Sequence, residues 1–261
     1  MGERTQYTPG TFSWADVTTP DQPAAKEFYA GLFGWEADDR PVGDGVFYSM
    51  MQVDGHDVAA VSPEPQVQRE QGLPPRWNNY ITVESADAAA DRASELGATV
   101  IAPAFDVMDV GRMAVIQDPQ GAYFMVWEPK TRIGAGLVNQ PGALVWNELA
   151  SPDLDASAKF YGDLFGWATR PLEGSPAPYL VVMNGDRSNG GIRELSGDDA
   201  DLPPHWLPYF GVDDIDQGLS RVEELGGTVH GDAIDIGIAK IGIVQDPQGA
   251  MFALYAGQFD D

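Results

Sequence analysis

Through the first half of the chain the spacing of apolar positions changes period several times. Phe12, Trp14 and Asp16 alternate with their neighbours, which predicts a strand over 11–18 with these three on one face. Thr18-Thr19-Pro20-Asp21 offers capping residues and a proline suited to a first helical turn. Ala25, Phe28, Tyr29, Leu32 and Phe33 then recur at helical spacing, and Gly34 ends that helix. Two strands are expected at 46–53 and 58–61 across the Asp54-Gly55 turn. The order then repeats, with a strand over 79–83, a helix over 86–96 stopped by Gly97, and strands at 99–102, 113–117 and 123–127. Asp118-Pro119-Gln120-Gly121 reads as the tight turn between the last two.

This whole pattern is written twice. Trp14, Phe28-Tyr29, Leu32-Phe33-Gly34-Trp35 and Gln117-Asp118-Pro119-Gln120-Gly121 return as Trp146, Phe160-Tyr161, Leu164-Phe165-Gly166-Trp167 and Gln245-Asp246-Pro247-Gln248-Gly249. The early shift (Trp14 to Trp146) and the late one (Gln117 to Gln245) are nearly equal, so one fold is used twice, and sites belong at equivalent positions. Each copy holds two βα-plus-strands halves. Domains over 1–132 and 133–261 are expected, joined by a short linker within 129–140 whose Ile133-Gly134-Ala135-Gly136 reads as flexible. Pro- and Gly-rich loops at 63–76 and 196–204 separate the halves.

Composition narrows the function. The 261 residues suffice for two cores, and 43% hydrophobic content is that of a globular protein. The absence of cysteine removes disulfides, thiolate metal sites and cysteine nucleophiles. A net charge of −25 would repel phosphate backbones, so no nucleic-acid partner is expected; it favours cationic ligands, or simply solubility. No apolar run approaches a membrane span and no signal-peptide order opens the chain, so a cytoplasmic location without membrane contact is expected. A monomer or a homodimer fits the tandem repeat.

The repeated motifs resemble the vicinal oxygen chelate superfamily, which includes glyoxalase I, the bleomycin-resistance proteins and the extradiol dioxygenases. More narrowly, the chain is similar to tandem glyoxalase-like proteins of actinobacteria. The resemblance implies an α+β fold of two tandem domains, each of two paired βαβββ units whose curved mixed sheets surround a cavity. It also implies where metal-dependent members place their ligands: at Trp14, Asn78 and Met125 in copy one and Trp146, Leu207 and Ala253 in copy two. Neither set offers the expected histidines and carboxylates, so no metal and no cofactor is assigned. His56, His205 and His230 have no repeat partners and read as surface or packing residues.

The tryptophans change what such a cavity could take. Trp14 and Trp146 either fill it as core or stack on an aromatic or cationic ligand. Asp16 and Glu148 lie two residues further along the same faces. A carboxylate beside an indole can act as a general base with a raised pKa, or it can pair with Arg112 or Lys240, or face solvent. Asn78, Asn79, Tyr80, Met125, Trp127 and Tyr209 are further candidate wall residues, whereas Phe28, Tyr29, Phe160 and Tyr161 read as core, Asp118 and Asp246 as turn-makers, and Trp77 and Trp206 as anchors of the proline-rich loops. The expected function is binding of a small organic molecule in an apolar cavity. Its rivals are an enzyme of this fold, metal-free with Asp16 or Glu148 as base or using an unrecognised metal site, and a regulatory protein with a vestigial cavity.

Overall fold

The computed structural model describes residues 2–43, 45–70, 72–175 and 177–259, with the side chains of Val67 and Asp198 left aside. The first copy runs β1 (Phe12–Thr19), α1 (Gln22–Phe33), β2 (Glu36–Gly43), β3 (Val46–Val53), β4 (His56–Pro63), α2 (Gln66–Glu70), β5 (Arg76–Thr82), α3 (Ala86–Glu95), β6 (Thr99–Val107), β7 (Gly111–Gln117) and β8 (Tyr123–Pro129). The second runs β9 (Leu144–Ser151), α4 (Leu154–Phe165), β10 (Ala168–Pro171), β11 (Tyr179–Asn184), β12 (Arg187–Glu194), β13 (His205–Gly211), α5 (Ile215–Glu224), β14 (Thr228–Asp235), β15 (Ala239–Gln245) and β16 (Met251–Gly257). Each copy builds one eight-stranded mixed sheet, ordered β2-β3-β4-β1-β5-β8-β7-β6 and β10-β11-β12-β9-β13-β16-β15-β14, curved but not closed.

Local chemistry sets the helix ends. Asp21 and Asp153 cap α1 and α4 by accepting from the amides of Ala24 and Ala156. Gly34 and Gly166 close them at φ of 71° and 76°, a left-handed conformation that costs glycine little. The helix therefore begins after Asp21, and Pro20 lies ahead of the cap instead of in the first turn.

Three further differences from the sequence reading have physical causes. Strand β2, Glu-Ala-Asp-Asp-Arg-Pro-Val-Gly, has no apolar alternation because it is an exposed sheet edge; its pairing with β3 makes it a strand. Charge and a proline suit such an edge, where they discourage pairing with another chain. The loop over 63–76, of which Gln71 lies outside the described residues, contains the short helix α2. Finally, residues 133–136 are bound, not flexible: the amides of Ala135 and Gly136 donate to the carbonyls of Ser13 and Asp57 at 2.8 and 2.7 Å.

The two sheets bury their helix-bearing faces against each other. One core cluster joins Ala25, Phe28, Tyr29, Trp35 and Trp77 to Phe210, Val222, Phe252 and Leu254. Another joins Ile81, Ala90, Ile116 and Phe124 to Leu149, Phe160, Tyr161 and Trp206. Each copy's first half thus packs on the other copy's second half. The hydrogen bonds are exchanged in the same way. The Tyr29 hydroxyl donates to Asp246 Oδ2 and the Tyr161 hydroxyl to Asp118 Oδ2, both at 2.8 Å. Each tyrosine oxygen accepts from an indole, Trp77 Nε1 at 3.1 Å and Trp206 Nε1 at 2.8 Å. The Oδ1 atoms of Asp118 and Asp246 accept three backbone amides each, from residues 120–122 and 248–250, within 2.8–3.0 Å. Trp35 and Trp167 also donate across, to the carbonyls of Gly142 and Gly10.

Replacing Tyr29 or Tyr161 by Phe removes a donor to a buried carboxylate and leaves an indole N–H without its acceptor. Each substitution should cost about 1.5–3 kcal/mol in urea denaturation. A loss within the error of the measurement for both would show that the seam does not depend on these hydroxyls.

Candidate functional site

Strand alternation carries Trp14 and Asp16 to the concave face of the first sheet, and Trp146 and Glu148 to that of the second. In the first, the antiparallel register sets Asp16 opposite Asn78 and Trp14 opposite Tyr80, with Tyr80 beside Met125. Asp16 Oδ1 accepts from Asn78 Nδ2 at 2.8 Å, and Oδ2 accepts from the hydroxyls of Tyr80 at 2.8 Å and Tyr48 at 2.9 Å. The Tyr48 oxygen in turn accepts from Trp14 Nε1 at 2.8 Å. Asp16 is only 4% exposed. Burial pushes its pKa above the ordinary 3.8, an effect that its three donors and the Arg76 guanidinium offset only in part. Arg76 itself stacks on Tyr123, 4.5 Å from the ring centre.

The second face repeats the frame with other fillings. Trp146 Nε1 donates to the Tyr179 hydroxyl at 3.0 Å, and Tyr179 and Tyr209 both hydrogen-bond Glu148. Leu207 stands where the first copy has Asn78, and Arg193 supplies the missing donor, its Nε 3.1 Å from Glu148 Oε1 and its Nη1 2.9 Å from Asp199. Tyr179 reaches the carboxylate because Gly191 lies beneath it; a Cβ there would run into the hydroxyl. Burial raises the Glu148 pKa, with Arg193 and the two tyrosines acting in the opposite sense.

The two faces differ in how full they are. In the first domain Trp14, Met50, Tyr80 and Met125 are all buried and pack with Ala135 and Val138 from the segment that links the copies. The Tyr7 hydroxyl holds that segment down by donating to Ala135 O at 2.7 Å. In the second domain Leu207, Tyr209 and Ala253 are covered, while Val145, Trp146, Ile241, Ile243, Met251 and Tyr255 are half-buried. On the first face Met113, Val115 and Trp127 are half-buried too, Trp127 Nε1 donating to Arg132 O.

Some candidates go elsewhere. Asn79 points away from the cavity and donates to Asn147 Oδ1 between the sheets, which the alternation with Asn78 requires. Arg112 binds Asp87 and Asp106, and Lys240 lies by Asp216, so neither pairs with the buried carboxylates. Tyr48, Tyr179 and Arg193 escaped the sequence reading. The tyrosines had a usable signal, since the step from Tyr48 to Tyr179 falls within the offset of the repeat.

Two open clefts lie away from these faces. One, of about 640 Å³, sits where the linking segment meets Arg40, His56, Asp57 and Arg132. The other, of about 810 Å³, runs between α1 and α5 past Phe33, Gly142, Val212 and Arg221. In the first, Arg40 and Arg132 both pair with Asp57, which also accepts from Gln52, and the second is a furrow between helix surfaces. An aromatic platform beside convergent polar groups occurs on the concave faces, and the candidate site is placed there.

A divalent metal does not fit these donors. At the positions the resemblance implies, Trp14 and Trp146 have no lone pair to give, Leu207 and Ala253 have no donor atom, and the Asn78 amide is turned to Asp16. Among the described residues no group of three or more His, Asp or Glu gathers to hold an ion.

A family model described as Glyoxalase/Bleomycin resistance protein/Dioxygenase superfamily matches residues 11–126 and 143–254. The chain belongs to this superfamily. It is 41% identical to the protein named "Putative glyoxylase CFP32" of Mycobacterium tuberculosis (strain CDC 1551 / Oshkosh), over 97% of both chains. It is 34% identical to the anthracycline biosynthesis protein DnrV of Streptomyces peucetius, over 96% of this chain and 94% of that one. Among solved structures, the Mn(II)-bound glyoxalase from Novosphingobium aromaticivorans superposes with a TM-score of 0.66 at 17% identity, covering 100% of this chain and 85% of its own. The 2,3-dioxygenase LapB from Pseudomonas sp. KL28 gives 0.66 at 13% identity, over 98% and 96%. At such identities the superfamily structures share the fold. No helix among the described residues is long and apolar enough to cross a membrane.

The raised pKa of Asp16 has a signed consequence. Below the ordinary 3.8 the carboxyl is neutral in both folded and unfolded chains. As pH rises past that value the unfolded chain ionises first, so this group's contribution to stability declines until the folded pKa is reached. Asp16→Asn lacks that decline and should gain on the wild type between about pH 4 and the folded pKa. Unfolding free energies measured across this range test it, and a difference that stays flat with pH would refute it.

Proposed function

We propose that the chain binds a flat organic molecule without a metal, and that the concave face of the second domain is its working site. The observation that supports this is the unequal filling of two equivalent faces. Trp14 is 6% exposed and Met125 5%, with Ala135 packed against the same cluster, so the first face holds its own side chains as a core. On the second, Ala253 replaces the bulkier Met125 and Trp146 is half-buried where Trp14 is covered, while Ile241, Ile243 and Tyr255 are half-buried as their counterparts Met113, Val115 and Trp127 are. An indole edged by aliphatic side chains, beside a buried carboxylate paired with Arg193, suits an aromatic ligand. The relatives named for anthracycline biosynthesis agree with a polycyclic aromatic class. On this reading Trp146 and Tyr209 are binding residues, and Trp14, Asn78, Tyr80, Met125 and Trp127 support the first domain.

A second reading rests on Glu148. It is a buried carboxylate beside the open face, and burial keeps its pKa high, as a general base requires. The protein would then turn its ligand over instead of sequestering it. Asp16 is less suited to that role, because it lies under a face that its own side chains Trp14, Met50 and Met125 fill.

Calorimetric titration with 1-methoxypyrene separates the domains. Trp146→Ala should weaken binding about tenfold through the lost stacking area, whereas Trp14→Ala should not. Loss of binding in the Trp14 variant alone would move the site to the first domain. Elemental analysis of purified protein should find no stoichiometric transition metal, and chelator treatment should leave the melting temperature in place. A fall in melting temperature that one specific metal reverses would overturn the metal-free reading.

A further inference from the structure

His205 opens β13, and the residues alternating with it, Leu207 and Tyr209, both belong to the concave face of the second domain. The register sets His205 opposite Ala150 on one side, and Arg193 opposite Ala150 on the other. Imidazole and guanidinium therefore flank one small residue, on the strand that carries Glu148 and Trp146. Among the described residues one hydrogen bond orients the ring: Nδ1 lies 2.8 Å from the carbonyl oxygen of Pro203. A carbonyl only accepts, so Nδ1 carries the proton and Nε2 presents a bare lone pair. No donor among the described residues meets that lone pair.

The charged groups near the ring belong to β12 and the turn that follows it. Arg193 on β12 and Asp199 in the turn after it act on the ring directly, and Arg193 in turn pairs with Glu148 on β9, which Tyr179 on β11 hydrogen-bonds. Burial lowers the ring's pKa from the ordinary 6.5; the Pro203 contact and Asp199 oppose that, and Arg193 reinforces it. The imidazole is thus neutral at pH 7 and is an acceptor. The first domain has no such group, because Arg76 stands at the equivalent position, the opening residue of β5, and arginine cannot accept a hydrogen bond.

We propose that Nε2 of His205 accepts a hydrogen bond from a hydroxyl on the aromatic ligand that stacks on Trp146. The inference rests on the binding reading above and names the ligand class within it. Arg193 opposes an ammonium donor at this place, while a neutral hydroxyl meets no such opposition. Ala150, beside His205, lies four residues beyond Trp146, about 13 Å along an extended strand. A ligand that touches both therefore has several fused rings, with its hydroxyl at the end away from the indole.

The test compares 1-hydroxypyrene with 1-methoxypyrene at pH 7.5, in the full-length wild type and in His205→Ala. The wild type should bind the hydroxyl compound about tenfold more tightly, the scale of one hydrogen bond, and in the variant the ratio should fall to about one. The ¹⁵N shifts of the His205 ring in the wild type should report the Nδ1-protonated tautomer. A preference that survives in the variant, or the opposite tautomer, overturns the proposal while leaving the binding reading in place, as does equal binding of both compounds by the wild type. If neither compound binds the wild type, the binding reading fails and the hydroxyl contact falls with it.

Discussion

The structure depends on one contact made twice: a buried tyrosine hydroxyl handed across the seam to the aspartate of the other copy's tight turn. Each aspartate uses one oxygen to hold its own turn and the other to accept the foreign phenol. Turn geometry and domain docking are therefore tied to the same carboxylate. Burial and the neighbouring carboxylate keep Tyr29 and Tyr161 protonated far above any physiological pH, so each remains a donor. Around them the indoles of Trp35, Trp77, Trp167 and Trp206 pack edge to face or stacked at ring distances of 5.3–5.7 Å.

The repeat, most of the helices and strands and the superfamily were legible because they rest on local periodicity and on motifs met twice. The role of those motifs was not. Phe-Tyr, Leu-Phe-Gly-Trp and Asp-Pro-Gln-Gly each looked like an internal matter of its own copy, a helix face or a turn. Their chemistry is completed only by partners far away in sequence, in the other copy, which no local pattern reveals. Strand β2 was invisible for the opposite reason, since an edge strand has no buried face to mark it.

The candidate site was half legible. Alternation along β1 and β9 sufficed to put each carboxylate beside its tryptophan. What surrounds the carboxylates comes from β3, β11 and β12, where position depends on register with a neighbouring strand, and so Tyr48, Tyr179 and Arg193 went unseen. His205 was judged by its lack of a repeat partner. Its meaning lies in that difference, because the residue across the repeat is an arginine with the opposite hydrogen-bonding sense.

The linking segment over residues 130–138 does more than connect. Two identical chains could build the same seam by pairing, but every residue would then be constrained by both faces at once. Covalent fusion lifts that symmetry. Asn78 and Leu207, Met125 and Ala253, Ser62 and Arg193 are free to differ because each is encoded separately. Of the two concave faces, the segment packs on the first, where Ala135 is fully buried, while Leu137 joins the seam between the copies. Fusion has turned a two-fold object into one with a front and a back.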